Sequence, residues 1–280
     1  MIQLAGRPFH PSSEWPKERI ERVILERMVK QPLLYSYPSA RELAFELKLR
    51  KNILITAKAM NAGQASFKTF SKAHANPKYW RVTRTGGFLL RSGALPSQAI
   101  QDVYLNSSLY GFECATAMML IYYHAVLTSI GEQAFNQWFQ SLYVYSWHAD
   151  PDLGIHTIHT NHHLPGDVVY FNNPDFHPKT SWWRGENAVV LEDGTYFGHG
   201  IGIGTAEQFI GTLNKKRKPG SQQSAYLTNS VTRPGFNRLA QLSLLPRTNK
   251  IPHGVIHHNE SSISFSQYVT YFMMAYHQLF

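Results

Sequence analysis

Ser108-Leu109-Tyr110-Gly111-Phe112-Glu113-Cys114-Ala115-Thr116-Ala117 holds the only cysteine of the 280-residue chain. Gly111 ends an irregular segment, and Ala115, Ala117, Met118, Met119, Leu120 and Ile121 then read as the first turns of a buried helix. Cys114 therefore falls at a helix N-terminus. Unpaired backbone N–H groups and the positive end of the helix dipole favour a thiolate there, so this position predicts a thiol pKa below its free value of ~8.5. A lone cysteine also fits a small buried hydrophobe. The adjacent Glu113 favours the nucleophile, because a structural cysteine has no use for a carboxylate beside it.

Working outward, 43% hydrophobic and 13% aromatic residues give the chain enough apolar surface for one compact domain with a small appendage. One cysteine excludes an intramolecular disulfide and a Cys-rich zinc site. Met1 to Pro8 lack the apolar run of a signal peptide, and Ala115 to Leu127 is too short to cross a bilayer and is broken by Tyr122, Tyr123 and His124. These features predict a soluble protein kept inside the cell that makes it, with no membrane partner. The net charge of +9 favours acidic partners. Its excess is scattered over Lys17, Arg22, Arg41, Arg50, Lys51 and Lys58, with one dense run at Lys215-Lys216-Arg217-Lys218. No nucleic-acid-binding signature accompanies it, so a solvated face is expected rather than a nucleic-acid footprint.

Toward the N-terminus, Pro11-Ser12-Ser13-Glu14 can cap a helix carrying Ile20, Val23, Ile24 and Met28 at helical spacing. Ser39-Ala40-Arg41-Glu42 reads as a capping box. Behind it Leu43, Leu47, Ile53 and Leu54 bury one face, while Glu42, Glu46, Lys48, Arg50 and Lys51 keep the other wet, and Gly63 ends the helix. Tyr79 to Arg91 reads as a hairpin. Beyond the Cys114 helix, a second helix spans about Glu132 to Ser141. The period then changes. Val168 to Phe171, Ala188 to Leu191 and Thr195 to Gly200 read as three strands in close succession, and Thr205-Ala206-Glu207-Gln208 as another capping box. The sum is an α+β fold, with extra helices at the N-terminus and a Cys-bearing helix packed on an antiparallel sheet.

A nucleophilic thiol needs a group to take its proton. The strand-edge candidates after the helix are Glu186, in Trp182-Trp183-Arg184-Gly185-Glu186-Asn187, and then His199. Burial beside tryptophans and near Glu113 would lift a glutamate from ~4.3 toward neutrality. A surface ion pair between Arg184 and Glu186, with a structural His199, also fits these residues. His156, His159, His162 and His163 sit among Pro, Gly, Asp and Asn without a metal-binding spacing, so no metal site is expected.

Tyr110 to Ala117, Glu46-Leu47-Lys48-Leu49-Arg50, Trp182 to Asn187, Tyr196-Phe197-Gly198-His199-Gly200 and Gln223-Ser224-Ala225-Tyr226-Leu227 together resemble the protein-glutamine gamma-glutamyltransferases (transglutaminases) of spore-forming bacteria. The resemblance runs from the N-terminus to about residue 245. It implies an NlpC/P60-like (papain-like) core and cross-linking of glutamine and lysine side chains of spore coat proteins, without calcium or another cofactor. It further implies synthesis in the mother cell followed by residence in the spore coat. Carried over by motif, Cys114 is the nucleophile, Glu186 its main base partner, Glu113 a second carboxylate able to share that role, and His199 a support for the base. Phe67, Trp147 and Trp182 match the lining of the substrate tunnel. Residues 246–280 form an extension: a Ser/Asn-rich link, then an aromatic, largely uncharged stretch from Phe265 to Phe280, fitting either a docked helix or an assembly contact. A cell-wall cysteine peptidase with His199 as base and a non-catalytic basic scaffold are the alternatives that the residues leave open.

Overall fold

The computed structural model describes residues 1–11 and 15–244. Most of the expected cap at Pro11–Glu14 and the whole extension 246–280 lie outside them. In chain order, strands β1 (Ile2–Leu4) and β2 (Arg7–Pro8) lead to α1 (Arg19–Lys30), β3 (Tyr35–Tyr37) and the long α2 (Ala40–Ala62). Then come β4 (Ser66–Phe67), β5 (Trp80–Val82), β6 (Phe88–Leu90), α3 (Pro96–Leu105) and β7 (Gly111–Phe112). The Cys-bearing α4 (Cys114–Ile130), α5 (Glu132–Trp138) and β8 (Tyr143–Val144) follow. The second half runs β9 (His156–His159), β10 (Val168–Asn172), β11 (Gly185–Val190), β12 (Tyr196–Gly198), β13 (Gly202–Gly204), α6 (Ala206–Asn214), β14 (Tyr226–Arg233) and α7 (Phe236–Leu242).

The main sheet has the order β13-β12-β11-β10-β14-β9, every neighbour antiparallel. The three expected strands are its β10, β11 and β12. Period-2 alternation splits their side chains between two cores. Val168, Val189 and Leu191 join the large cluster built on α2 and α4, whereas Val169, Ala188 and Val190 join a smaller one with Phe209 and Leu213 of α6. The expected hairpin exists as β5 and β6, with β8 as a third strand. His156 to His159 pair with Ser230 to Arg233 as the edge strand β9.

The capping signals act as read at Thr205, by half at Ser39, where Glu42 returns no hydrogen bond to the Ser39 amide, and not at the first helix. Ser39 Oγ accepts from Glu42 N–H at 3.4 Å, and Thr205 and Gln208 form a reciprocal capping box. Gly63 is the C-cap of α2. At α1 the N-cap is Glu18, which makes no side-chain cap hydrogen bond.

The wet face predicted for α2 is corrected. Glu46 and Arg50 are buried, Arg50 to 1% exposure, because α2 is covered by α4, α1 and α7 rather than lying on the surface. Desolvating a guanidinium demands a carboxylate nearby. Arg50 Nε donates to Glu46 Oε1 and Nη1 to Asp167 Oδ1, each at 2.8 Å, and its guanidinium lies 4.4 Å from the Phe236 ring centre. Arg233 closes the network with two 2.7 Å bonds to the same Asp167. Burial alone would raise the Asp167 pKa, but Arg233 and Arg50 outweigh it and hold the carboxyl at about 2.

Asp167 therefore stabilises the fold above its unfolded pKa of ~3.9, and that contribution disappears as pH falls toward about 2. Asp167→Asn leaves the buried Arg233 without its carboxylate and Arg50 with Glu46 alone, and should cost about 3 kcal/mol and lower Tm by about 10 °C in a domain of this size at pH 7. Thermal melts at pH 7 and pH 2.5 check this, the difference between wild type and variant narrowing at the lower pH.

Candidate active site

Cys114 is the first residue of α4, as its sequence context predicts, and is 1% exposed. Glu113 is the N-cap of that helix. Its Oε2 accepts from Ala115 N–H and its Oε1 from Thr116 N–H, both at 2.6 Å. The carboxylate thus satisfies two amides that a helix start leaves open, a structural role that does not by itself require a nucleophilic cysteine. Burial raises its pKa, and the bonds from Thr116 and Ala115 oppose that rise.

The thiol departs from expectation. Burial pushes its pKa well up, with the carboxylates of Glu186 and Glu113 adding to the effect, and only Asn187 pulls the other way. Two buried acidic groups beside a sulfur oppose its ionisation more than the end of a helix favours it. Asn187, fully buried in β11, lies on the α4 side of the sheet, and its Nδ2 sits 3.5 Å from Cys114 Sγ. Sequence reasoning quoted Asn187 only as part of a motif; its signal was the period-2 placement with Val189 and Leu191, which face the same helix.

Glu186 rises from the other face of β11, in register with Phe171. It is 1% exposed, and its Oε1 accepts from Gly200 N–H at 2.9 Å. Side chains at Gly198 or Gly200 would collide with it: a Cβ at Gly198 would lie 2.8 Å from Glu186 Cγ, and one at Gly200 3.0 Å from Oε2. The Gly198-His199-Gly200 turn is therefore a glycine-bounded cradle for this carboxyl. Burial drives the Glu186 pKa to about 8, the Gly200 amide opposing and Glu113 reinforcing the shift. The ion pair with Arg184 that the sequence allowed does not form among the described residues.

His199 stacks on Phe112 with ring centres 4.6 Å apart, and Phe67 lies 6.2 Å away on a tilted plane. Its Nε2 has no hydrogen-bond partner among the described residues, and burial depresses its pKa to about 4 against the opposing carbonyls of Ser66 and Phe112. It is a neutral ring whose neighbours are apolar.

A cavity of about 190 Å³ opens onto Cys114 and Glu113, walled by Phe67, Phe70, Trp182 and Arg184 with the hydroxyls of Thr69, Ser71 and Ser181. Phe67 and Trp182, assigned from sequence to the tunnel, both line this cavity, with Trp182 39% exposed at the rim. Trp147 is buried in the main core and is not part of this cavity's lining. The ring stacked on Phe67 is Trp183, with centres 5.9 Å apart and planes 16° from parallel, and Lys216 Nζ lies 5.2 Å from the centre of that same indole. A tryptophan pair in sequence carries no signal for which ring turns inward.

The dense basic run is built into the structure. Besides Lys216 on Trp183, Lys218 pairs with Asp175 at 3.1 Å and Arg217 donates to the carbonyls of Asn214 and Gln223. Among the described residues, no three His, Cys, Asp or Glu side chains gather as for a metal ion, and no helix is long and apolar enough to cross a membrane.

A buried cysteine at a helix start, facing an amide donor and a carboxyl that titrates near neutrality, can carry out acyl transfer. Comparison with known proteins agrees. A family model described as protein-glutamine gamma-glutamyltransferase matches residues 1–243. The chain is 54% identical over 276 residues to the protein-glutamine gamma-glutamyltransferase of Halalkalibacterium halodurans, covering 98% of this chain and 97% of that protein, so most of the extension has a counterpart there. It is 42% identical over 235 residues to that of Bacillus subtilis, covering 83% and 96%. A solved structure, the transglutaminase from Geobacillus stearothermophilus without C-terminal extension, matches with a TM-score of 0.72 at 45% identity, over 75% of this chain and 100% of that one. The chain belongs to the protein-glutamine gamma-glutamyltransferase family, the transglutaminase acyltransferases.

Proposed function

We propose that the protein joins glutamine and lysine side chains of proteins through a thioester on Cys114, without calcium. The observation that carries this is a buried thiol with Asn187 Nδ2 3.5 Å from its sulfur and with the Glu186 carboxyl, near pKa 8, close enough for its charge to act on it. In the first half-reaction, ionised Glu186 takes the thiol proton as Sγ attacks the γ-carboxamide carbon. The amide nitrogen then leaves as ammonia, taking that proton from Glu186, and the thioester remains. In the second, a lysine amine attacks the thioester carbonyl and Glu186 takes the proton it sheds. Collapse expels the sulfur, which recovers the proton, and an ε-(γ-glutamyl)lysine bond is left. The Cys114 amide stabilises the oxyanion, since the amides of Ala115 and Thr116 are occupied by the Glu113 side chain.

In this scheme Glu186 is the base, Glu113 fixes the start of the nucleophile's helix, and His199 holds the turn that delivers the Gly200 amide. A peptidase with His199 as base is disfavoured by the apolar setting of that ring. An NlpC/P60-like core is supported by a Cys-headed helix on an antiparallel sheet whose later strands bring polar groups to the thiol. A catalytic unit over 1–245 with 246–280 as an extension is supported by the family match ending at residue 243. Spore coat proteins as substrates, and passage from the mother cell to the coat, rest on the resemblance to the enzymes of spore-forming bacteria.

The direct test is incorporation of a labelled primary amine into a glutamine-rich acceptor protein with EDTA present. Wild type should retain activity under chelation, and Cys114→Ala should lose at least about 10³-fold. No incorporation from folded wild type across several acceptors would move the assignment to the peptidase.

Glu186 also sets a pH signature. The acylation kcat/KM for a glutamine substrate should rise with pH and level off near 8, and Glu186→Gln should remove both the rise and most of the rate. Its folded pKa lies above the unfolded ~4.3, so it stabilises the fold at low pH and loses that contribution as pH climbs toward about 8. Glu186→Gln should therefore gain several degrees in Tm over wild type at pH 8 but little at pH 5, read from paired melts.

Water exclusion by the aromatic wall gives a further test. Trp183→Ala, which removes the ring behind Phe67, should raise glutamine deamidation relative to cross-linking about tenfold, measured as ammonia released against amine incorporated. An unchanged ratio would show that this wall does not exclude water.

A further inference from the structure

Arg184 lines the same cavity as Cys114, and no step of the chemistry above uses it. Its position is fixed on several sides. The Arg184 backbone N–H and Nε both donate to Ser181 C=O, at 3.1 and 3.0 Å, and its own carbonyl accepts from Asn173 N–H at 2.8 Å and Tyr170 OH at 3.3 Å. The guanidinium lies 5.9 Å from the Phe176 ring centre. Its two terminal nitrogens have no hydrogen-bond partner, and no carboxylate lies within ion-pair distance, among the described residues. The one carboxylate in the cavity lining, Glu113, has both oxygens committed to the helix amides. Other charges on the neighbouring segments are positive or already paired: Lys216 lies over Trp183, Lys179 is exposed, and Asp175 is paired with Lys218, while Glu186 is bound to the Gly200 amide.

A held guanidinium fork with free terminal donors at the edge of a reaction cavity matches one kind of group, a carboxylate. The reactive γ-carboxamide of glutamine is neutral and gives the fork no charge to read. A lysine acceptor is a cation in water and meets like charge on this side. We propose that Arg184 is a subsite for a carboxylate of the acyl-donor protein, an Asp or Glu side chain close in sequence to the reactive glutamine. The cavity mouth it borders is accordingly the donor's entrance and selects glutamines in acidic surroundings. The proposal rests on the transglutaminase reading of the same cavity.

The test uses end-blocked glutamine peptides of one sequence in which the residues flanking the glutamine are Glu, Ser or Lys. Each is assayed for kcat/KM with a fixed primary amine and the full chain. The Ser peptide is the reference within each protein, so that any general loss in a variant cancels. Wild type should prefer the Glu peptide over the Lys peptide about tenfold at low salt, less at 0.5 M salt. Arg184→Lys, which keeps the charge but not the held fork, should retain only part of the preference, Arg184→Gln should reduce it to about twofold or less, and Arg184→Glu should reverse it. Equal rates for the three peptides in wild type, or an acidic preference that survives Arg184→Glu, would overturn the assignment of Arg184 while leaving the transglutaminase reading intact. A wild type that incorporates amine into none of the peptides, nor into a glutamine-rich protein, would overturn both.

Discussion

Asp167, shared between Arg50 and Arg233, is the interaction on which the rest of the structure depends. It joins α2 from the first half of the chain to the strand ends of β10 and β14 in the second, and the Arg50 guanidinium lies against Phe236 of α7. The loop before β10 is tied in as well, because Asp167 Oδ2 accepts from Leu164 N–H and Arg50 from Nη1 donates to Pro165 C=O. Such a buried cluster is poor at adding stability compared with an apolar core, but it is intolerant of misassembly, since any other docking of helix on sheet leaves a charge without a partner. The sheet is thereby set at one angle to α2 and α4, and the thiol is aimed at β11.

The active site inverts that logic. At Asp167 two cations surround one carboxylate and hold it ionised. At Cys114 two carboxyls and a thiol share a buried setting in which, among the described residues, neither carboxyl is paired with a cation, so Glu186 keeps its proton to about pH 8 and burial makes the sulfur keep its own still more strongly. A site in which the acidic groups are poised to exchange one proton, instead of being locked apart by fixed charge, suits a reaction that must give a proton to ammonia and then take one from an amine. The apolar rings of Phe67, Phe112 and Trp183 supply the low dielectric that makes the shift large.

The division of labour between neighbours in the chain follows from secondary structure. Glu113 and Cys114 are adjacent, yet one closes a helix and the other opens it. Glu186 and Asn187 are adjacent on a strand, so they leave opposite faces, Asn187 meeting the thiol directly and Glu186 seated in the Gly198–Gly200 cradle, from which its charge acts on the sulfur. Trp182 and Trp183 end a short 3-10 helix, Pro178–Trp183, whose turn sends one to the rim and one against Phe67.

What the sequence determined by itself was local: the Cys114 helix start, the caps at Ser39 and Thr205, the β5–β6 hairpin, the three strands from β10 to β12, and, through its motifs, the family. These depend on periodicity, caps and turn residues within a few positions of one another. What only the tertiary structure decided was long-range: that Glu46 and Arg50 lie buried on what reads as a polar helix face, that β9 and β14 flank the sheet, that Asn187 meets the sulfur, and that Trp183, not Trp147, stands with Phe67. The thiol pKa belongs to this second group. A helix terminus seen in sequence predicts a lowered value, but burial is what raises it most, followed by the charge of Glu186 from a strand 72 residues away in the chain, and neither burial nor distance in space is displayed by a linear sequence.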